Sequence, residues 1–480
     1  MEKLSDDVLL MVLEELEEAE DILTFRVVCK RFAALALHPA VWRNFDVNYD
    51  KPYCSCPLLR MAPCIDTISI RLPAEGCLQR ACTATRCAAA RLCIGVDGAS
   101  HAGHAAAIIS RQETLGRLID VEIEISSAVA AGDACMLLNM LASTSRLKSL
   151  CVMDRGEDRL PTAHNRILAN TVVAPSLREF GCTLYALTEP FVQFILSEHA
   201  ATIEEVNLGG SPSTLSMTSI APLLAGVTNL RELTGSYLPG MEALAACKSL
   251  SVLHLIMFHT ESLSGPAVAG SAQLLQRAEQ LREVTLEYEP AVRSVADVGA
   301  DLVLALAASG RSRVERLHII NYGCGCVGNP PLLQLLVSAL PSLSALRCLV
   351  LENGAKKPDA LLMAIRPDVA PSLQRVEVCL SEGCAHFWLH GDTVKTVMAA
   401  NPSLHIKLDA SRLVCGGNTA RCGACQLGCH GELRGDGTLR RDLTSGSFPC
   451  VPCIFSHDPM DECSEDHSEN SSELWIHLPL

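Results

Sequence analysis

Aromatic side chains are scarce in this chain: Phe, Tyr and Trp together make up 4% of its 480 residues. A compact aromatic core is therefore not expected. Apolar residues nevertheless amount to 49% and charged residues to 19%, so most of the chain should be globular. Leu and Ala supply much of the apolar surface, which favours regular packing of helices on strands.

Positive charge is also in short supply, with 39 Lys and Arg against 54 Asp and Glu and a formal net charge of −15. This imbalance argues against a nucleic-acid-binding surface as the main function. No nucleic-acid partner is therefore expected.

Long apolar runs are missing. No run approaches the roughly 20 residues needed to span a bilayer, and charges at residues 2, 3, 6 and 7 interrupt any N-terminal signal. The chain is therefore expected in the cytoplasm, the nucleus or both, with no membrane partner. In those reducing compartments its 24 cysteines should be mostly reduced, buried or metal-bound rather than paired as disulfides.

The first 45 residues contain apolar stripes with helical spacing. The first stripe, at three- and four-residue intervals, consists of Leu4, Val8, Leu9, Val12, Leu13 and Leu16. A second stripe of the same period consists of Ile22, Phe25, Val28 and Phe32, and a third apolar set of Leu35, Leu37, Val41 and Trp42. Ser5 and Asp6 stand where a helix N-cap belongs. Helices of this size do not make a stable core alone, so we expect the segment to pack against something else.

Residues 2–46 resemble an F-box. The matching motifs are Leu4, Val28-Cys29-Lys30-Arg31-Phe32 and Pro39-Ala40-Val41-Trp42, which occur in the family's order and spacing. Ser5 stands where the family usually has Pro; Ser caps a helix well, but a partner contact made by the Pro ring would be lost. Without the resemblance, the same pattern describes an ordinary amphipathic helical hairpin.

The resemblance implies that this segment docks onto a Skp adaptor. The residues expected to matter most for that docking are Leu4, Ser5, Val8, Leu9, Val12, Val28, Cys29, Lys30 and Trp42. Some of them must instead build the internal core, because a three-helix segment has faces for both.

The middle of the chain repeats the unit apolar-x-x-apolar-x-apolar, which is typical of a leucine-rich-repeat strand. The copies begin at Ile65, Leu118, Leu147, Leu177, Ile203, Leu250, Leu281, Val314, Leu346 and Leu373. Leu230 begins a weaker copy and Leu404 a final one, and a further strand is expected between residues 73 and 117, with Arg91–Ile94 as the candidate. Chance explains any single copy as well, since Leu is common, but not the series.

Helix-like segments such as Ala134–Leu141 lie between these copies. Alternation of strand and helix at this period predicts an α/β fold, a curved leucine-rich-repeat solenoid over residues 62–410, with parallel strands on the concave face and helices on the convex face. Residues 47–61 are expected to link it to the F-box. The Asn expected after each strand is mostly absent, so the repeats are irregular.

An F-box followed by such a solenoid resembles the leucine-rich-repeat F-box proteins, which are substrate receptors of cullin–RING ubiquitin ligases. The resemblance implies that the F-box binds the Skp adaptor and, through it, the cullin–RING ligase. The solenoid would then hold the protein to be ubiquitinated and sent to the proteasome. The alternative is a leucine-rich scaffold that acts outside a ligase. Ser5, in place of the family's Pro, is the one sequence feature that favours this alternative, and it does so weakly.

No catalytic constellation stands out, so we expect an adaptor without its own catalysis. There is no phosphate-binding Gly-rich loop and no nucleophile elbow; Gly323–Gly328 lacks nucleotide-site spacing and fits a loop between repeats. His254 and His318 lie inside strand patterns, where structural or surface roles are expected.

After Leu408 the repeat pattern stops and Cys and Gly become frequent. Two C-x-x-C pairs, which are formed by Cys422, Cys425, Cys450 and Cys453, could supply four thiolates to one Zn²⁺. Residues 411–463 are therefore a candidate zinc clip, with His457 and Cys463 among the nearby ligand types. The alternative is a disordered or loosely capping tail, since a Cys-rich chain produces such pairs by accident. No other cofactor is expected.

Residues 464–480 are acidic and Ser-rich, which predicts disorder.

Overall fold

The structure is a computed structural model. It describes residues 4–16, 18–48, 56–74, 76–156, 174–210, 220–257, 265–288, 300–321, 331–352, 358–380, 388–410, 452–457, 463, 467 and 474–478. The chain divides into two units, Met1–Leu230 and Arg231–Leu480, which are described one after the other.

The first unit begins with four short helices: α1 (Asp6–Glu14), α2 (Ala19–Arg26), α3 (Lys30–Leu35) and α4 (Pro39–Trp42). The predicted cap is confirmed at Ser5, whose Oγ accepts a hydrogen bond from the amide of Val8 at 3.4 Å. Apolar side chains from all four helices form a small core, which contains Leu9, Leu13, Ile22, Phe32, Leu35, Val41 and Trp42.

Parallel strands follow the helices in this unit. They are β1 (Asp46–Asn48), β2 (Cys64–Leu72), β3 (Ala88–Val96), β4 (Asp120–Ile125), β5 (Ser149–Asp154), β6 (Glu179–Cys182) and β7 (Glu205–Leu208). Each strand pairs with the next one in the chain. One apolar position is in register along β2–β7 and is buried throughout, as Ile68, Leu92, Val121, Leu150, Phe180 and Val206.

Helices alternate with these strands and form a second layer, because each packs on the next helix. They are α5 (Cys56–Met61), α6 (Gly76–Ala84), α7 (Ala102–Leu115), α8 (Ala131–Ser143), α9 (Glu189–Glu198) and α10 (Ile220–Gly226). Gly116, at φ 80°, ends α7 in the left-handed conformation that favours glycine. The buried Gln112 of α7 accepts a hydrogen bond from the Ala89 amide and donates one to the Cys87 carbonyl, which ties the helix to β3.

The second unit has the same construction. Its parallel strands are β8 (Glu232–Ser236), β9 (Val252–Met257), β10 (Glu283–Tyr288), β11 (Arg316–Asn321), β12 (Cys348–Glu352), β13 (Arg375–Leu380) and β14 (His405–Ala410). Its α-helices are α11 (Gly265–Arg277), α12 (Ala300–Ala308), α13 (Pro331–Ala339), α14 (Asp359–Ala364) and α15 (Asp392–Ala400). A 3₁₀ helix, Met241–Ala246, stands between β8 and β9. The buried position in register is Leu233, Leu253, Val284, Leu317, Leu349, Val376 and Ile406.

These elements confirm the predicted α/β class and the parallel strand–helix repeat. The strand expected between residues 73 and 117 is β3, which contains Arg91–Ile94. The segment expected to link the two regions is instead structured where the structure describes it. It contributes the end of β1 and helix α5. Helix α5 is packed against its surroundings, since Leu59 is fully buried and the Arg26 guanidinium lies 2.6 Å from the Met61 sulfur. Assignment to the leucine-rich-repeat family stays a prediction.

The end of the chain also differs from the expectation of a disordered tail at residues 464–480. Strand β15 (Pro452–Phe455) pairs antiparallel with β14, and β16 (Leu474–His477) pairs parallel with β15. Ile476 and Leu478 are buried, so a short apolar segment within an acidic tail supplies enough burial to form a strand. Among the described helices, none has the length and apolar character that a membrane span requires.

Candidate functional site

Helices α1–α3 present a group of apolar side chains to solvent. The exposed fractions are 42% for Leu4, 41% for Val8, 67% for Met11, 51% for Val12, 82% for Val27 and 64% for Val28. We call these six residues the apolar face. So many neighbouring apolar groups on so short a segment are unusual on a protein surface, and they mark a surface for a partner.

The apolar face exists because α1 is apolar on two sides. Leu9 and Leu13, one turn apart, point into the core, whereas Val8, Met11 and Val12 lie on an adjoining side of the helix and are exposed. A solvated helix normally carries polar residues there. The second apolar side of α1 therefore remains largely exposed outside the core of this segment.

Arg31 joins the two parts of the apolar face. Its Nη2 lies 2.7 Å from Asp6 Oδ1 and donates to the Leu4 carbonyl at 2.5 Å, so the start of α3 is fastened to the start of α1. The Val27–Val28 turn immediately precedes α3. The pair therefore keeps that turn in a fixed relation to α1.

Two of the predicted docking residues lie in the core instead. Leu9 and Trp42 are each 1% exposed, and the Trp42 indole N–H donates to the Ala36 carbonyl at 2.6 Å. Their side chains hold the helices together, and in this conformation they are not available to a partner. The expectation that some of the nine residues build the core is thus met by these two.

The other predicted docking residues are exposed. Leu4, Val8, Val12 and Val28 belong to the apolar face, and Ser5, Cys29 and Lys30 are exposed beside it. The Cys29 sulfur also caps α3, because it accepts a hydrogen bond from the Phe32 amide at 3.5 Å. A role of these side chains in adaptor docking stays a prediction.

Met11 and Val27 were not among the predicted docking residues, although they are the most exposed members of the apolar face. A signal for Met11 was present, since it stands three residues after Val8 on the same side of α1. Val27 could have been suspected from its place beside Val28, just before the cysteine that caps the next helix.

The predicted zinc ligands are not assembled by the described residues. Cys422, Cys425 and Cys450 lie outside the part of the chain that the structure describes. Cys453 is buried in β15, and the Arg375 guanidinium donates to its sulfur at 3.5 Å. A four-cysteine zinc site therefore stays a prediction.

Residues 3–48 match a family of domains described as F-box-like. No curated protein matches the chain. Among solved structures, the yeast structure described as "Crystal structure of Rad7 and Elc1 complex in yeast" is similar over 78% of this chain and 88% of that chain, with 10% identity and a TM-score of 0.38. At this TM-score the likeness supports no inference about activity or partners.

The N-terminal helices therefore form an F-box-like domain, and the apolar face lies on the surface of that domain. In both units, parallel strand–helix repeats follow. A partner-binding domain of this family joined to a long repeat supports a substrate-adaptor role in general terms.

Proposed function

We propose that this chain is the substrate-recognition subunit of a Skp–cullin–F-box type E3 ubiquitin ligase. The F-box-like domain binds a Skp adaptor and, through it, the cullin–RING ligase. The repeat holds the protein to be ubiquitinated, which then passes to the proteasome. The single observation that carries the proposal is the apolar face on a domain of the F-box-like family.

The energetics favour docking through the apolar face. Complete burial of one Val, Leu or Met side chain is worth roughly 1.5–3 kcal/mol. Six partly exposed side chains of this kind can therefore offset the entropic cost of association. The charged residues that neighbour the apolar face in sequence would form a polar rim; they are Asp6, Asp7, Lys30 and Arg31.

The mechanism we propose is positioning without catalysis on this chain. A repeat that holds a substrate raises the effective concentration of the substrate lysine near the charged conjugating enzyme. Side chains that alternate with the buried strand positions face away from the helices, and these carry charge, as in the Arg71–Glu124 and Arg155–Glu124 pairs of the first unit. This strand face is where we expect the substrate to bind.

Affinity capture from cell lysate tests the proposal. The wild-type chain should recover a Skp adaptor and a cullin, and removal of residues 1–46 should abolish both. A double substitution Val8→Asp and Val12→Asp should do the same without unfolding the domain, because both side chains are exposed. Leu9 is unsuitable for this purpose because it is buried.

The matched control is Met136→Asp on α8, which introduces the same charge at an apolar side chain that is 40% exposed in the repeat. It should recover adaptor and cullin as the wild type does. If the wild-type chain recovers neither protein, the ligase assignment is wrong, and the alternative of a scaffold outside a ligase takes its place.

A further inference from the structure

Three histidines and one cysteine meet at the end of the second unit. His405 is the first residue of β14, His457 follows β15, and Cys463 and His467 belong to the segment before β16. One ligand atom from each of these four residues lies within 4.8 Å of all the others. The four residues, which we call the His₃Cys cluster, are all donor types that zinc prefers.

Three ligand atoms of the cluster, those of His405, Cys463 and His467, have the spacing of a tetrahedral metal site. Tetrahedral Zn²⁺, with bonds of about 2.0 Å to nitrogen and about 2.3 Å to sulfur, holds two nitrogens about 3.3 Å apart and a nitrogen and a sulfur about 3.5 Å apart. The His405 and His467 Nε2 atoms are 3.1 Å apart. The Cys463 sulfur lies 3.5 Å from the first of them and 3.7 Å from the second.

Backbone carbonyls orient two of the imidazole rings. Nδ1 of His405 lies 3.2 Å from the Gln374 carbonyl, and Nδ1 of His457 lies 3.2 Å from the Pro402 carbonyl. A ring that donates its Nδ1–H in this way leaves the lone pair of Nε2 for a metal, as metal-bound histidines commonly do. Nε2 of His457 is buried and has no hydrogen-bond partner among the described residues, which leaves its lone pair available to a ligand.

Two aromatic rings pack against the cluster. The Phe455 ring stacks on His467 with centroids 4.1 Å apart, and Trp475 of β16 lies 4.4 Å from His467 and 5.4 Å from His405. Three imidazoles and one thiol beside these rings suit a structural metal ion.

We propose that His405, His457, Cys463 and His467 bind one Zn²⁺ ion. Binding replaces the proton of the Cys463 thiol, which passes to solvent, so that the ion has three neutral nitrogens and one thiolate. With four protein ligands the coordination sphere is closed, which is the arrangement of a structural site rather than a catalytic one. These ligands differ from the two C-x-x-C pairs that the sequence suggested.

The ion would fasten the end of the chain to the last parallel strand. His405 belongs to β14, whereas the other three ligands follow β15, and β15 is itself short and antiparallel. Repeat arrays need a cap that covers the last apolar face. The zinc clip would stabilise that cap, formed here by β15 and β16.

Metal analysis of the purified full-length chain, prepared without metal-affinity resin, tests the proposal. We expect about one zinc per chain, and loss of that zinc in the double variant Cys463→Ser and His467→Gln. The matched control is the double variant Cys422→Ser and Cys425→Ser, which changes two cysteines of the C-x-x-C pairs. This variant should keep its zinc. Less than about 0.2 zinc per wild-type chain, or full zinc in the Cys463/His467 variant, would overturn the proposal.

Cobalt replacement gives a readout that does not depend on the fold of a double variant. The metal-free chain titrated with Co²⁺ should show the strong visible bands of tetrahedral cobalt and a thiolate-to-cobalt charge-transfer band. In Cys463→Ser the charge-transfer band should disappear while Cys422→Ser retains it. An unchanged charge-transfer band in Cys463→Ser means that another cysteine holds the metal, which contradicts the assignment.

Discussion

Arg31 and Asp6 form an ion pair across the F-box-like domain, with Nη2 of Arg31 2.7 Å from Oδ1 of Asp6. The pair connects the first turn of α1 to the first turn of α3 and is aided by the bond from Arg31 to the Leu4 carbonyl. Asp6 lies two residues before Val8 on α1, and Arg31 lies three residues after Val28, so the pair joins the segments that carry the apolar face. We infer that it sets the geometry of the apolar face more than the stability of the domain.

Replacement of Arg31 by Ala should therefore affect binding more than folding. Both partners are substantially exposed, 36% and 62%, and exposed pairs of this kind are worth about 0–1 kcal/mol. We expect the free energy of unfolding to fall by less than about 1 kcal/mol, as measured by chemical denaturation. The free energy of adaptor binding should become less favourable by more than this loss in the free energy of unfolding. An unchanged adaptor affinity would show that the pair does not position the face.

Trp42 should behave in the opposite way, as a core residue. Trp42→Ala leaves a cavity and an unpaired Ala36 carbonyl, which together should cost about 3–5 kcal/mol. For four short helices this cost is close to the whole stability. Hydrogen exchange of the amides in α1–α4 should therefore lose its protection. Retained protection together with lost adaptor binding would instead identify Trp42 as a contact residue.

Cysteine labelling should separate exposed from buried thiols. Burial raises the pKa of the Cys82 thiol, and that of the Cys87 thiol, to about 12, so at neutral pH both are protonated and shielded. Cys29 is exposed. Treatment of the folded chain with iodoacetamide, followed by mass spectrometry, should modify Cys29 long before Cys82 or Cys87. Equal rates would contradict the packing of α6 and β3.

Acid should weaken the first unit through His199. Burial lowers the pKa of this histidine below its usual value near 6.5, and its Nδ1 accepts hydrogen bonds from the Ser176 and Leu177 amides. Between the two pKa values, His199 is therefore protonated in the unfolded chain and neutral in the folded chain. The stability that His199 contributes is present above about pH 6.5 and is lost as the pH falls toward the lower pKa of the folded state.

The variant His199→Asn tests this account, because the Asn Oδ1 can accept the same two amides but does not titrate. The unfolding midpoint of the variant should depend less on pH than that of the wild type below about pH 6.5. An identical slope for the two proteins would show that His199 does not contribute to the acid sensitivity.

The repeat could be predicted from sequence because its signal is local. The spacing of Val121 and Ile123, or of Leu317 and Ile319, places side chains on one face of a strand whatever the rest of the chain does. Strand β16 was missed because Leu474–His477 is short and the composition around it is acidic. The average composition of residues 464–480 does not reveal an apolar strand of four residues.

The two sites were harder to predict because they depend on tertiary contacts. Val8 and Leu9 have the same apolar character, and only the packing of α1 against the other helices decides which of them is buried. His405 is separated from Cys463 by more than 50 residues of chain, and no fixed spacing joins them. The two C-x-x-C pairs, in contrast, could be recognised in the sequence because their ligands have a short, fixed spacing.

Direct binding of a purified Skp adaptor to the purified full-length chain, measured by calorimetry, tests the central claim most directly. The wild type and Met136→Asp should bind with equal affinity. The double variant Val8→Asp and Val12→Asp should bind about 100-fold more weakly or not at all, since two buried apolar contacts at roughly 1.5 kcal/mol or more each are lost. Affinity within about twofold of the wild type in the double variant would contradict docking through the apolar face.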